Sequence, residues 1–340
     1  LLEDNSVTLT VTPTVQADVE TSLNLDRNVL SANFRGNTAS SNVTVENGGN
    51  PSFDGSIAVA SVQANFQLGV DGTSATNQGS TIAALVGNLD AAIDPDPPLA
   101  GNILVGTLSV SENKISASAA GNEALALEGN QAGNQIVFES GVNFLGSTGG
   151  AAGGGLAYDG GEVVASVDAD LALLNHQSNV GTGLSSLTED ASITAMAQGL
   201  DQGSITVSKN VIASRTTGNT ASNAILVPGE GDGGAFFDGS AAIVSGQVNY
   251  VTGISAATSG AENSAYVGEL GDGESVFVEG SAKVDSNTIS ANAFGNLVTN
   301  TLQVNANTVT TGDDDALAWL SGGIQQEGEL EGDGGLLLLN

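Results

Sequence analysis

Apolar and polar residues alternate over short stretches of this chain, and each stretch ends at small polar residues. For example, Ile115, Ala117 and Ala119 fall on one face of an extended segment, whereas Ser116 and Ser118 fall on the other. This period of two is typical of a β-strand with one buried face. Gly-Asn, Asp-Gly and Asn-Gly pairs separate the stretches and predict turns, because Gly and Asn tolerate positive φ. The sequence therefore predicts an all-β protein.

One pattern of 15 residues occurs four times without gaps. Each copy has an Asn, then Leu or Ile two residues later, then Gly-Asn eight residues after the first Asn. The shared positions are Asn28, Gly36 and Asn37; Asn113, Gly121 and Asn122; Asn210, Gly218 and Asn219; and Asn287, Gly295 and Asn296. The copies begin 85, 97 and 77 residues apart. Four matches of this length indicate internal duplication.

Other recurring features surround this pattern. Three copies continue to a further Asn and an alternating strand, at Asn42, Asn223 and Asn300, whereas the second copy has no such Asn in residues 123–128. A second block that begins with an aromatic residue and Asp-Gly recurs between the copies. Its instances are residues 53–65, 158–170 and 237–249. A Gly-rich stretch at residues 149–155 lengthens the second unit and predicts a flexible insertion.

The repeats divide the chain into an N-terminal strand and four units. The predicted segments are 1–20, a strand that could link subunits; 21–105, unit one; 106–200, unit two with the Gly-rich insertion; 201–279, unit three; and 280–340, unit four with a C-terminal cap.

Small side chains and regularly spaced Asn favour a β-solenoid, similar to a parallel β-helix. In that fold the coils stack at about 4.8 Å and Asn side chains form hydrogen-bonded ladders along the axis. With about 20 residues per coil, the chain would make about 17 coils and a rod of about 80 Å. The alternative is a set of antiparallel β-sandwich domains with hairpins at Gly-Asn and donor strands exchanged between subunits. The sequence leaves both architectures open.

The charge of the chain limits its partners. The 340 residues include 38 Asp and Glu against 6 Lys and Arg, a formal net charge of −32. Such a field repels nucleic acid and anionic membranes, so we expect neither as a partner, and it attracts cations. No segment has the roughly 18 apolar residues of a membrane helix. The chain begins at Leu1 rather than Met, so either a leader has been removed or the chain is an excised piece; we expect a mature, secreted product.

The pattern Asn-x-Ile-x-Ala-x-Ala-x-Gly-Asn at residues 113–122 resembles repeats of bacterial functional amyloids, namely curli and the Pseudomonas-type Fap fibres. It is also similar to the large secreted β-strand-repeat proteins. The resemblance implies an extracellular, fibre-forming structural protein.

Patterns for catalysis and metal binding are weak. His176 is the only histidine, and no Gly-x-Ser-x-Gly motif accompanies it, so we expect no enzyme activity and no catalytic or cofactor-binding residue. Acidic Gly-rich turns around Asp232, Asp272 and Asp333 offer hard oxygen ligands and are the candidates for calcium. None of them completes an EF-hand loop or a Gly-Gly-x-Gly-x-Asp nonapeptide.

The two ends of the chain suggest subunit contacts. Val7, Leu9 and Val11 alternate with Thr in a terminal segment that could pair with a neighbour's sheet edge. Leu336 and Leu337 begin an apolar tail, and exposed apolar patches commonly mark contacts. Contacts between unlike ends produce filaments. We therefore expect the homopolymeric subunit of an extracellular fibre. The alternative is a cell-surface adhesin or S-layer-like module, with a matrix polysaccharide as partner.

Overall fold

Each alternating segment forms a β-strand, and corresponding strands of successive repeats lie side by side and parallel. The computed structural model describes residues 1–11, 19–46, 48, 52–66, 73–87, 103–139, 142–145, 151–154, 166–181, 183–227, 236–250, 253–267, 278–304, 308–310, 317–320 and 335–339. None of these residues is helical. The prediction of an all-β fold with parallel, solenoid-like stacking is confirmed, which excludes the antiparallel sandwich.

The strands follow one another in four coils, preceded by a short partial coil. The partial coil has β1 Leu2–Glu3 and β2 Ser6–Val11; the first coil has β3 Ser22–Asp26, β4 Val29–Thr38, β5 Ser41–Val45, β6 Ser52–Asp54, β7 Ile57–Phe66, β8 Thr73–Gln78 and β9 Thr81–Val86. The second coil has β10 Ile103–Leu104, β11 Thr107–Ser111, β12 Lys114–Ala124, β13 Asn134–Phe138, β14 Asn143–Leu145, β15 Ala151–Gly154, β16 Ser166–Ala169, β17 Leu171–Val180, β18 Leu184–Glu189 and β19 Ser192–Ala197.

The third coil has β20 Gly199–Ser208, β21 Val211–Val227, β22 Phe236–Asp238, β23 Ala241–Tyr250, β24 Ile254–Ser259 and β25 Glu262–Val267. The fourth coil has β26 Val278–Asp285, β27 Thr288–Val304, β28 Thr308–Thr310, β29 Leu317–Leu320 and β30 Gly335–Leu339.

One coil takes up one whole repeat. Lys114 lies opposite Val29, Val211 opposite Lys114, and Thr288 opposite Val211, so neighbouring strands are 85, 97 and 77 residues apart along the chain. The prediction of about 20 residues per coil, and with it the rod of about 17 coils, is wrong. A coil is large because it doubles back on itself and builds two facing walls from many strands.

We call these the front wall and the back wall. The front wall holds the strands that align with β3, β4 and β5, and the back wall holds those that align with β7, β8 and β9. Strands aligned with β6 form the corner between the walls. The walls pack face to face, since β4 contacts β8, β12 contacts β17 and β18, and β11 contacts β19.

Two apolar cores lie between the walls, one near each side of the coil. The first core packs Leu108, Val110 and Ile115 of the front wall against Ile82 and Ile193 of the back wall. These residues come from the alternating positions that the sequence predicts to be buried. For example, Ile115, Ala117 and Ala119 are at most 1% exposed.

The second core lies at the corner and is aromatic. The Phe144 ring is completely buried, stacks on Phe53 with centroids 6.0 Å apart and meets Phe138 edge to face at 5.5 Å. Leu171 and Ile225 close this core from the back and front walls. Between the two cores lie a small apolar cluster of Ala75, Ala117 and Ala119 with Phe34 and, beside it, a band of buried polar side chains.

The structure corrects the alignment of the second block. Phe53 lies opposite Phe144, and Gln63 lies opposite Gln177, so residues 158–170 are not the second instance. They belong to an insertion between β14 and β17. Within it β15 and β16 pair antiparallel, so Ala151–Gly154 of the expected flexible stretch form a strand; residues 149, 150 and 155 lie outside the described residues.

Replacing Phe144 with alanine should lower the free energy of unfolding by about 3–5 kcal/mol, because it leaves a cavity in the corner core. Chemical denaturation followed by circular dichroism measures the change. Phe66→Ala is the control: its residue is 54% exposed, and its loss should stay below about 1 kcal/mol. Equal losses for the two variants would contradict the placement of Phe144 in a core.

Candidate functional site: amide ladders and open sheet edges

The first amide ladder lies at the turn from β3 to β4 and at its equivalents. Oδ1 of Asn113 accepts hydrogen bonds from the backbone N–H of Asn28 at 2.9 Å and from its Nδ2 at 3.0 Å. Asn210 receives the same two bonds from Asn113, and Asn287 Oδ1 accepts the Asn210 backbone N–H at 2.9 Å. Each coil is thereby tied to the next at this turn.

The residue before each ladder Asn has a left-handed backbone conformation. Its φ is 58° at Arg27, 57° at Glu112, 56° at Lys209 and 55° at Ser286. Non-glycine residues adopt such angles only where the surrounding structure holds them. The Asn hydrogen bonds supply that constraint. The sequence does not signal this conformation, because none of these four residues is Gly or Asn.

A double ladder occupies the polar middle of the interior. Along the front wall, Asn37, Asn122, Asn219 and Asn296 are joined by Nδ2–Oδ1 bonds of 2.9, 2.8 and 2.9 Å. Along the back wall, the corresponding bonds that join Asn65, Asn179 and Asn249 measure 2.9 and 2.8 Å.

Hydrogen bonds also cross from one wall to the other. Asn37 Nδ2 donates to Asn65 Oδ1 at 2.8 Å, and Asn65 Nδ2 donates to Asn122 Oδ1 at 3.0 Å. The same crossing bonds continue toward the C-terminal end: Asn122 Nδ2 donates to Asn179 Oδ1, and Asn179 Nδ2 donates to Asn219 Oδ1. The last two described bonds of the series join Asn219, Asn249 and Asn296 in the same way. The two walls are therefore joined by hydrogen bonds between buried amides at this place. A buried amide without a partner costs about 1–3 kcal/mol, so each member depends on the others.

Glycine precedes the front-wall Asn in the first three coils because the next coil and the facing ladder take the space of a side chain, whereas a Cβ on Gly295 in the last coil would meet only Asn249 Nδ2, at 3.7 Å. A Cβ on Gly121 would lie 2.4 Å from the Gly218 carbonyl oxygen and 2.6 Å from Asn179 Oδ1. Gly36 and Gly218 face the same obstruction. The predicted Gly-Asn turns are wrong at these positions: the pairs lie inside β4, β12, β21 and β27. Close approach of the walls explains the motif.

Further hydrogen bonds between Gln and Asn side chains of neighbouring coils run beside the double ladder. Gln177 Nε2 donates to Gln63 Oε1 at 2.6 Å, and Gln247 Nε2 donates to Gln177 Oε1 at 2.7 Å. Asn134 bonds Asn223 Oδ1 at 2.9 Å, although the sequence showed no Asn directly after the second copy. Residues 125–133 form a longer connection there, after which Asn134 returns to the ladder position.

The walls end in open strand edges at both ends of the stack. Within the described ranges, no strand pairs with the outer edges of β3 and β4 at the N-terminal end, or of β26 and β27 at the C-terminal end. On the back wall, β25 at the C-terminal end also has an open outer edge within those ranges. None of these edge strands contains proline. An edge of this kind is a template for pairing with another strand.

Charge is distributed unevenly between the walls. All six basic residues lie on strands or turns of the front wall, namely Arg27, Arg35, Lys114, Lys209, Arg215 and Lys283. Arg27 Nε lies 2.9 Å and Lys209 Nζ 3.7 Å from Glu112. The Arg27 hydrogen bond and charge hold the pKa of Glu112 below its usual value, and the same bond raises the pKa of Arg27. These exposed pairs add little stability.

His176 is buried in β17 with Val62 and Gly246 opposite it in the neighbouring coils. Its Nε2 has no hydrogen-bond partner among the described residues, and burial lowers the pKa of the imidazole.

The remaining predicted site residues have different outcomes. Val7, Leu9 and Val11 face the first core from β2, which pairs with β9 of its own chain. Leu336 and Leu337 lie in β30, paired with β23 of its own chain. Their role in subunit contacts stays a prediction. The calcium candidates Asp232, Asp272 and Asp333 lie outside the described residues.

Comparisons with known proteins identify no relative. No family model, curated protein or solved structure matches the chain. Among the described residues, no helix is long and apolar enough to span a membrane. The same residues contain no group of three or more His, Cys, Asp or Glu side chains placed to hold a metal ion.

Substituting Gly218 with alanine should destabilise the protein by about 1–3 kcal/mol, because the new Cβ would lie 2.4 Å from the Gly295 carbonyl oxygen and 2.7 Å from Asn249 Oδ1. Thermal and urea unfolding measure the effect. Gly253→Ala is the matched control, since no atom lies within 4 Å of the methyl group that it adds, and stability should be unchanged or slightly raised. Equal stability of both variants would show that the ladder does not need the glycine at position 218.

The wild type should lose stability relative to His176→Gln as the pH falls from 8 to 5. The folded-state pKa of His176 is lowered by burial, so below about 6.5 the unfolded chain binds the proton more readily than the folded one. The stability is fully present above the unfolded pKa and is lost on acidification. Unfolding midpoints of both proteins across this range measure the difference; parallel curves would contradict a buried, neutral imidazole.

Proposed function

We propose that this chain is the structural subunit of an extracellular filament, in which copies stack head to tail through their sheet edges, and that it is not an enzyme. One observation carries the proposal. The front wall ends on both sides of the stack in long, open, parallel strand edges that belong to the same repeat and so match in register.

The packing of equivalent residues supports stacking. In the middle coils the inward side chains of the front wall are covered by coils on both sides, and Val207 and Ile212 are completely buried. In the fourth coil their equivalents Val284 and Ile289 are 47% and 50% exposed. Another coil on that side would remove this apolar surface from water, which is favourable in proportion to the area buried.

The back wall can take part through its terminal strand. Leu9 in β2 pairs with the back wall at the N-terminal end, and the outer edge of β2 is open among the described strands. In a stack this edge meets β25 of the preceding copy, which makes the Val7–Val11 region a contact through main-chain hydrogen bonds.

The strong negative charge opposes assembly at low ionic strength. Each copy brings a formal charge of −32 to the filament, and repulsion between exposed charges reaches about 30 Å at 0.01 M salt but about 8 Å at 0.15 M. A secreted protein in a saline or calcium-containing medium would assemble with this repulsion screened. The location outside the cell belongs to the proposal.

The outer surface of the front wall favours a second candidate function, that of an adhesin or S-layer-like module. Eight of the twelve outward positions on the four strands aligned with β3 carry hydroxyl groups. They are Ser22, Thr107, Ser204, Ser281, Ser109, Thr206, Ser111 and Ser208. A flat array of hydroxyls can hydrogen-bond to a matrix polysaccharide. Glycan-array binding by a protein that stays monomeric would favour this function over the filament.

Purified protein should polymerise in a concentration-dependent way, more readily at 0.15–0.5 M NaCl than at 0.01 M, because salt screens the negative charge. Sedimentation velocity measures assembly, and negative-stain microscopy shows the particles. Aligned filaments should give a reflection near 4.8 Å along the fibre axis, since strands run across it.

CaCl₂ at matched ionic strength is the control that separates general screening from a specific ion. Equal assembly in CaCl₂ and NaCl would assign the effect to screening, whereas assembly only with CaCl₂ would indicate bound calcium. Particles that remain single at every concentration and salt would end the filament proposal.

A further inference from the structure

The two ends of the stack differ in the hydrogen-bonding groups that they leave unused. At the N-terminal end, Oδ1 of Asn28 and Oδ1 of Asn37 accept no hydrogen bond from any described residue. The equivalent oxygens of Asn113 and Asn122 accept bonds from the preceding coil. The N-terminal face of the front wall therefore presents amide acceptors.

The C-terminal face presents donors. The backbone N–H of Asn287 has no described acceptor, whereas the equivalent N–H of Asn210 donates to the following coil. Among the described residues, Nδ2 of Asn287 donates only to Val207 O, and Nδ2 of Asn296 only to Gln247 O. In the inner coils the same nitrogens also donate to the next Asn of their ladder, as Asn113 does to Asn210. Two donors are therefore left over at Asn287, its backbone N–H and one Nδ2 hydrogen, and one Nδ2 hydrogen is left over at Asn296.

The spacing of the ladders allows both to continue in one docking step. Nine residues separate the two ladder positions in every coil, including Asn28 and Asn37 in the first and Asn287 and Asn296 in the last. A copy placed with Asn28 over Asn287 also places Asn37 over Asn296. The same placement brings its β7 to the outer edge of β30, which β29 has to leave. The same register sets Leu25 over Val284 and Leu30 over Ile289, so apolar rows of the first core continue as well.

Contacts between two like ends lack this complementarity. Two N-terminal faces would bring Oδ1 atoms of Asn28 and Asn37 against acceptors, and two C-terminal faces would bring donors against donors. Buried amides without partners are costly, so such contacts are disfavoured. Only unlike ends satisfy the ladders, and contacts of that type do not close on themselves.

We propose that the amide ladders give the filament a direction: the Asn287 and Asn296 donors of one copy bind the Asn28 and Asn37 acceptors of the next, in the register of the internal coils. The partner is a second copy of this chain, and every copy in a filament points the same way. This inference rests on the proposed filament function and identifies the groups that form its interface.

The main chain at each edge provides the test. Lys114 N–H donates to Asn28 O and Thr288 N–H to Asn210 O. In a parallel sheet the N–H groups of successive residues point to opposite sides, so those of Val29 and Ile289 point away from their own chain. In the proposed stack, Val29 N–H donates to Asn287 O of one neighbour, and Ile289 N–H donates to Val29 O of the other neighbour. Proline at either position removes an intersubunit donor without removing an internal bond.

Val29→Pro blocks only the N-terminal face, and Ile289→Pro blocks only the C-terminal face. Each variant alone should remain monomeric at ten times the concentration at which the wild type polymerises. Mixed in equal amounts, the two should form one-to-one dimers, because each keeps one working face and the two faces are of opposite kinds. Light scattering coupled to size exclusion gives the mass of each species.

Val29→Ala and Ile289→Val keep the N–H groups and should polymerise like the wild type. Leu25→Lys and Val284→Lys form a second pair that blocks the same faces with a charge, for use if circular dichroism shows that a proline variant is misfolded.

The outcomes separate this inference from the filament proposal. A wild-type protein that never polymerises would contradict both the filament proposal and the proposed direction. A wild type that polymerises while either blocked variant alone still forms dimers leaves the filament standing and overturns the direction, because dimers of one variant require contact between like ends. Equal mixtures of blocked variants that stay monomeric would also overturn it.

Discussion

A buried amide must find its hydrogen-bond partners inside the protein, and this requirement governs the structure. Asn122, Asn179 and Asn219 are completely buried between the two walls. Each amide is satisfied by the coil before it, the coil after it and the wall opposite. The register of every strand is fixed as a result, because a shift by one residue would turn the Asn outward and bring an apolar side chain into the polar region.

The same requirement makes the protein modular along its axis. An inner coil has partners on both sides, whereas the first and last coils satisfy their ladders on one side only. The apolar cores follow the same rule: residues that are completely buried in the inner coils are half exposed in the last one. An arrangement whose interior is completed by its neighbours is suited to continuation by a further coil, which a second copy of the chain would supply in the proposed filament.

Charge acts against this tendency. The hydrogen bonds and the apolar rows favour stacking at short range, while the excess of carboxylates repels copies at longer range in dilute salt. The few basic residues all lie on the front wall, where Arg27 and Lys209 flank Glu112 in three successive coils. In the proposed filament, ionic strength would therefore set the balance between short-range pairing and long-range repulsion.

The alternation of apolar and polar residues was sufficient to predict strands, and the four copies were sufficient to predict repeated units, because both features can be read from the sequence locally. They favoured stacked coils with Asn ladders but left antiparallel sandwiches open, because strand pairing depends on residues far apart in the chain. The size of a coil was not predictable. It depends on where the chain doubles back, and that turn brings together residues far apart in sequence, such as Asn37 and Asn65. The role of Gly121 was not predictable for the same reason. The Asn179 side chain opposite leaves no room for a Cβ at this position, but in the sequence the Gly-Asn pair has the pattern of a turn. Neighbouring residues in the sequence determine the local backbone preferences, whereas the facing wall of the folded protein determines the space available to each side chain.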